Sequence, residues 1–263
     1  MKPGITQLVC ITDTTDEFFD IAADSGYEAV ELGLKCEGAF TPGISDDEID
    51  RLVRLAAAKD LEIASICIGS CTGNLLDSGE SQALGIEQTR RALEIADRMG
   101  VRCTLHTLGD LRADLYYDDA YRNGIESLKE LAITCERLDV GIAIEFIWNG
   151  FLFSPMEMKR FLDDVGSTHV GFYFDPGNMA VFQFPHHWVR IVGQHVMRVH
   201  LKDWQGGALD GSWPALLEGQ VDYAAMNREL RAIGYDGPMI SEVSPDVATY
   251  RQTADAIRKI IAM

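Results

Sequence analysis

The sequence predicts a closed (β/α)8 TIM barrel formed by a single domain over residues 1–263, and three observations carry that prediction. A short apolar run ending in polar residues and followed by a longer stretch with helical spacing recurs about eight times. The chain length of 263 suits a barrel of eight such units. Neither GxGxxG nor GxxxxGK(S/T), the glycine signatures of open nucleotide-binding sheets, occurs.

Taken in order, the strands are predicted at 6–12, 29–34, 63–69, 102–107, 141–146, 170–175, 197–202 and 238–243, each short and rich in Val, Ile, Leu or Phe. Between them, 46–59 reads as a helix because Ile49, Leu52, Val53, Leu55 and Ala56 share a face and Ser45 can cap the start. Residues 87–99 have the same pattern and stop at Gly100. Helices are also predicted at 128–138, at 223–233 before Gly234, and at 247–261. The segment 184–194 is helical only if Pro185 sits in its first turn.

Lys plus Arg number 23 against 41 Asp plus Glu, a net charge of −18 that repels nucleic acid and anionic lipid alike. No apolar run approaches the roughly 18 residues that span a bilayer, and residues 1–11 lack a basic start leading into a long hydrophobic stretch. The expectation is a cytoplasmic chain with a small-molecule substrate and neither a nucleic-acid nor a membrane partner. Cys10, Cys67 and Cys103 lie in apolar runs, as reduced core thiols do, and Cys67 and Cys71 are spaced too widely for a CxxC pair.

In a barrel of this kind the active site forms at the carboxyl ends of the strands. Four polar residues end apolar runs there: Glu145 in IAIEF, Asp175 in VGFYFD, His200 in MRVHLKD and Glu242 in PMISEV. A carboxylate in an apolar strand is costly unless it is hydrogen-bonded, paired or bound to a cation. Either each bonds a loop, or together they hold one divalent ion; three carboxylates and an imidazole suit Mn2+, Mg2+, Co2+ or Zn2+.

The segments FDPGN at 174–178, VHLKDW at 199–204, GQVDY and GYDGPMISEV within 219–243, and GYEAVELGL at 26–34 resemble the xylose isomerase-like TIM-barrel superfamily. The nearer resemblance is to its sugar phosphate isomerase/epimerase branch, which includes inosose dehydratase, hydroxypyruvate isomerase and D-tagatose 3-epimerase relatives. It implies that Glu145, Asp175, His200 and Glu242 bind one divalent metal and that Glu145 and Glu242 serve as acid and base. Some epimerases of the branch carry a histidine three residues after the aspartate, where this chain has Asn178.

The activity so implied is a metal-dependent isomerase or epimerase acting on a small sugar or polyhydroxy carbonyl compound, through proton abstraction and a metal-stabilised enediolate. A dehydratase of the inosose or 3-dehydroshikimate kind is the alternative. Further substrate-binding candidates are Asn178, Lys202 and Asp203, together with His106, which is otherwise a satisfied core histidine, and Glu31, which otherwise pairs with Lys35 or Arg102. Trp148, Phe151, Phe153 and Trp204 follow the expected ligands, where aromatic faces cover a sugar or pack the rim against a second copy in a homo-oligomer.

Overall fold

In the computed structural model, which describes residues 1–10, 12–208 and 210–263, eight strands close a parallel barrel. They are β1 (Pro3–Thr6), β2 (Ala29–Gly33), β3 (Glu62–Cys67), β4 (Cys103–His106), β5 (Gly141–Glu145), β6 (Val170–Phe174), β7 (Val196–Leu201) and β8 (Met239–Ser241). Each pairs with its sequence neighbours, and β1 closes the ring on β8 with Gly4 opposite Ile240.

Strand β1 is a correction to the predicted run at 6–12. Thr6 ends the strand and accepts a hydrogen bond from the Leu8 backbone, which turns Gln7–Val9 into a 3-10 turn; Ile11 lies outside the described residues.

The surrounding helices are α1 (Thr15–Ser25), α2 (Asp46–Ala58), α3 (Gly79–Arg98), α4 (Tyr117–Leu138), α5 (Pro155–Val165), α6 (Pro176–Ala180), α7 (Pro185–Val192), α8 (Tyr223–Ala232) and α9 (Tyr250–Ala262). Ser45 caps α2 through the Glu48 N–H, and Pro185 occupies the first turn of α7, as the sequence predicts. Helices α3 and α4 begin well before the predicted starts. Ahead of the predicted starts, α3 buries only Gly85 and Ile86, and α4 buries Ala120, Asn123, Gly124 and Ser127, so these turns lack the apolar stripe that marks a helix in sequence.

The core has two layers. Strand residues such as Val30, Ile66, Ile142, Ile144, Phe172, Val199 and Leu201 face outward and pack under the helices. The alternate residues Ala29, Ala64, Cys103, Ala143, Tyr173 and Ile240 fill the bore. At its lower end a Cβ on Gly171 would stand 2.5 Å from the His195 carbonyl, so only glycine lets Met197 and the turn before β7 approach so closely. Among the described residues no helix is long and apolar enough to cross a membrane.

Candidate metal centre

Strand alternation decides which side chains enter the upper barrel. With Ile144, Phe172, Phe174, Val199 and Leu201 facing the helices, the inward positions fall to Glu145 at the end of β5, Asp175 just past β6, His200 and Lys202 on and after β7, and Glu242 just past β8. On β2 the same count turns Glu31 inward, between Val30 and Leu32.

Glu145, Asp175, His200 and Glu242 therefore meet on four adjacent strands, with one ligand atom from each within 4.8 Å of the others. His200 Nδ1 lies 3.5 Å from both Glu145 Oε1 and Glu242 Oε2. Asp175 Oδ1 accepts from the backbone N–H groups of Gly177 and Asn178 and so caps α6, which leaves Oδ2 aimed elsewhere.

Asp175 Oδ2 and His200 Nδ1 are both buried without a hydrogen-bond partner. Such orphaned atoms are costly, and a divalent cation within the cluster would satisfy both. Lys202 Nζ, 3.2 Å from Asp175 Oδ2 and 2.8 Å from Glu242 Oε2, offsets part of the negative charge. The donor set fits a divalent ion of intermediate hardness.

The imidazole is held from behind. Glu31, fully buried, places Oε1 2.9 Å from His200 Nε2, so that nitrogen keeps its proton, and with an ion in the cluster Nδ1 would be the nitrogen that offers it a lone pair. Glu31 also accepts from Thr6 Oγ1 at 2.8 Å, Ser65 Oγ at 2.7 Å and Tyr173 OH at 2.6 Å. Burial works to raise its pKa, yet the His200 ring and these hydroxyls outweigh burial and hold it below the usual carboxylate range. Burial dominates at Glu145 and pushes its carboxyl up to about 7, with His200 opposing and Glu242 and Asp175 reinforcing the rise. Burial would lower Lys202, but Asp175, Glu242 and Glu145 together raise it, so the ammonium stays charged.

The remaining predicted residues have distinct fates. Glu31 pairs with neither Lys35 nor Arg102 and does not face the substrate side, because His200 and three hydroxyls consume it. Asp203 is likewise corrected from substrate binder to loop anchor: fully buried, it accepts from the backbone of Trp204, Leu217, Gly219 and Val221 at 2.9–3.1 Å. A Cβ on Gly219 would stand 2.2 Å from its carboxylate, so glycine is required there.

His106 is a satisfied core histidine, with Nδ1 accepting from the Leu108 N–H at 2.8 Å and Nε2 3.0 Å from Thr72 Oγ1. Asn178 donates to Glu145 Oε1 and to the Phe146 carbonyl, both at 3.1 Å, and so positions Glu145. Phe151 is buried against Tyr117 and Phe161, away from the rim surface.

Trp148 stays half-exposed, donates from Nε1 to the Asn178 carbonyl and stacks on Trp213 at 5.0 Å. Sequence reading missed Trp213, which a hairpin of Gln205–Gly207 and Asp210–Ser212 carries back over the barrel mouth. It also missed Tyr173, although a lone hydroxyl in the VGFYF strand was a usable sign.

Residues 19–260 match the xylose isomerase-like TIM barrel family. This chain belongs to that family. As a member of the xylose isomerase-like family it is 24% identical over 250 residues to L-ribulose-5-phosphate 3-epimerase UlaE of Escherichia coli (strain SMS-3-5), a match covering 86% of this chain and 85% of that protein. Its fold is similar to that of a D-tagatose 3-epimerase-like protein, with TM-score 0.84 and 22% identity over 100% of this chain and 97% of the other. It is similar also to D-psicose 3-epimerase of Clostridium cellulolyticum H10, solved with D-tagatose, with TM-score 0.84 and 16% identity over 99% of each chain.

Proposed function

We propose that this protein is a divalent-metal-dependent isomerase or epimerase of a small sugar or polyhydroxy ketone, with Glu145 and Glu242 as the proton-transferring residues. The observation that carries the reading is the convergence of these two glutamates with His200 Nδ1, buried without a hydrogen-bond partner, and Asp175 Oδ2, which meets only the Lys202 ammonium. The epimerase names of the relatives above agree with it. Glu145, Asp175, His200 and Glu242 would hold the ion, which when bound would supply Lewis-acid polarisation of a carbonyl and adjacent hydroxyl.

The chain's own residues account for the proton transfers. Glu145 and Glu242 come from β5 and β8, the outer two of the four adjacent ligand-bearing strands, so a substrate carbon between them is reached from two sides. One carboxylate removes the C–H proton beside the carbonyl and the other delivers a proton to the opposite face, which inverts the centre. Asn178 engages Glu145 Oε1, leaving Oε2 to carry the proton, and Lys202 engages Glu242 Oε2, leaving Oε1. The Trp148–Trp213 stack forms an aromatic wall beside Glu242 and Lys202.

Turnover of ketose substrates in deuterated water tests the reading. Deuterium should enter the product or returned substrate, and Glu145→Gln or Glu242→Gln should each lower the rate by about 10²-fold or more. Turnover with complete retention of the substrate hydrogen would refute proton transfer through these carboxylates.

A further inference from the structure

Above Glu242 and Lys202 the barrel mouth opens into a cleft of about 270 Å3. Its walls are apolar or aromatic: Trp148, Trp213, Pro214, Val9, Val243 and Val247. Among the described residues that line it, Lys202 is the one cation, and its ammonium is already engaged by Glu242 and Asp175. Glu31, Glu145, Asp175 and Glu242 set four carboxylates against one lysine and a divalent ion, which leaves one negative charge in excess. A phosphate dianion entering this cleft would meet no unspent positive charge.

Several backbone donors near the cleft are spent as well. Barrels of this type often bind phosphate with loop N–H groups after the seventh strand. Here four N–H groups of that region, from Trp204, Leu217, Gly219 and Val221, converge on the Asp203 carboxylate. The chain's own anion fills the nest. At the start of α9 beside Val247, Thr249 and Gln252 cap each other's backbone N–H groups.

What the cleft does offer is an aromatic face. Trp148 and Trp213 stack at an interplanar angle of 26°, and Trp204 backs Trp213 at 4.7 Å. Such a surface complements the C–H side of an uncharged sugar. We propose that this cleft takes an unphosphorylated ketose or polyhydroxy ketone, seated on the Trp148–Trp213 pair, and discriminates against its phosphate ester. The inference rests on the sugar isomerase reading and narrows it: the UlaE relative is named for a sugar phosphate, and this chain is assigned the uncharged class.

The test is calorimetric titration of the Mn2+-loaded full chain, at physiological ionic strength, with D-ribulose, D-fructose and D-tagatose, and separately with D-ribulose 5-phosphate and D-fructose 6-phosphate. At least one free sugar should bind about 10-fold or more tightly than the phosphate esters. Trp213→Ala should weaken that binding by about 3- to 10-fold, and Trp213→Phe should restore most of it. Esters that bind as tightly as the free sugars, no detectable binding of any free sugar, or an unchanged affinity in Trp213→Ala would each overturn the proposal. Solvent-deuterium exchange reads the isomerase assignment separately: a free sugar that binds preferentially without exchanging refutes that assignment and leaves the charge selection of the cleft in place.

Discussion

Replacing Glu31 by glutamine removes a charge from behind the His200 ring while keeping the side chain's shape, so no cavity opens. The carboxylate accepts four hydrogen bonds, but only the one from His200 Nε2, at 2.9 Å, reaches the ligand cluster. A hydrogen bond to a charged group contributes about 1.5–3 kcal/mol and a neutral one about 1 kcal/mol, so the loss transmitted to Nδ1 is about 0.5–2 kcal/mol. That corresponds to roughly 2- to 30-fold weaker metal binding, which overlaps the lower part of the roughly 10- to 100-fold range found for partners behind metal-bound histidines. The glutamine NH2 also needs acceptors, and the Ser65 and Tyr173 hydroxyls, 3.1 Å apart, can rotate to provide them. Calorimetric titration of metal-free protein with Mn2+ should give about one site per chain in both forms, with the weaker constant in Glu31→Gln. Circular dichroism checks that the variant is folded. A folded Glu31→Gln protein that binds Mn2+ as tightly as the wild type would falsify the claim that this carboxylate orients the imidazole.

Three further outcomes follow from the geometry. Asp203→Ala strands four backbone donors and should destabilise the protein by about 3–5 kcal/mol, read by thermal unfolding; a wild-type melting curve would contradict the anchoring role. Burial pulls the His106 pKa from 6.5 down to about 4, so below pH 6.5 the unfolded chain takes up a proton that the folded chain refuses. Stability is therefore lost as pH falls, by about 2 kcal/mol between pH 7 and pH 5; urea melts should record the loss in wild type and less of it in His106→Gln. Met156, Phe182 and Phe184 are 66%, 53% and 64% exposed, an apolar surface suited to burial in a homo-oligomer, whereas light scattering that finds only a 29.1 kDa species at every concentration would oppose that assembly.

The barrel was legible because its outward strand residues are mostly apolar, and a fully covered parallel sheet writes that pattern plainly. The first strand was misplaced for the same reason. The stretch from Leu8 to Cys10 is as apolar as a strand, and only pairing of Pro3–Ile5 with Met239–Ser241 fixes the register one turn earlier. Helix α1 had a local sign in Thr14 followed by Glu17, and α5 in Ser154–Pro155, but neither has a long apolar stripe.

The four clustered residues were legible because each interrupts an apolar run. The roles of Glu31 and Asp203 were not, because their partners are distant: His200 lies 169 residues from Glu31, and Leu217 to Val221 lie 14 to 18 residues beyond Asp203. A charged side chain in a strand announces that it must be satisfied. It does not announce by what.

The His200–Glu31 bond crosses the bore between halves of the barrel that divide the labour unequally. Strands β5 to β8 carry all four clustered residues, while β1 to β3 contribute Thr6, Glu31 and Ser65, which with Tyr173 of β6 stand behind the imidazole. A graft of the second half-barrel onto a foreign first half would transplant the cluster and leave most of what orients it behind. His200 would then be free to choose either tautomer, and the transplanted cluster would report, by how poorly it held an ion, how far the new half departed from the old.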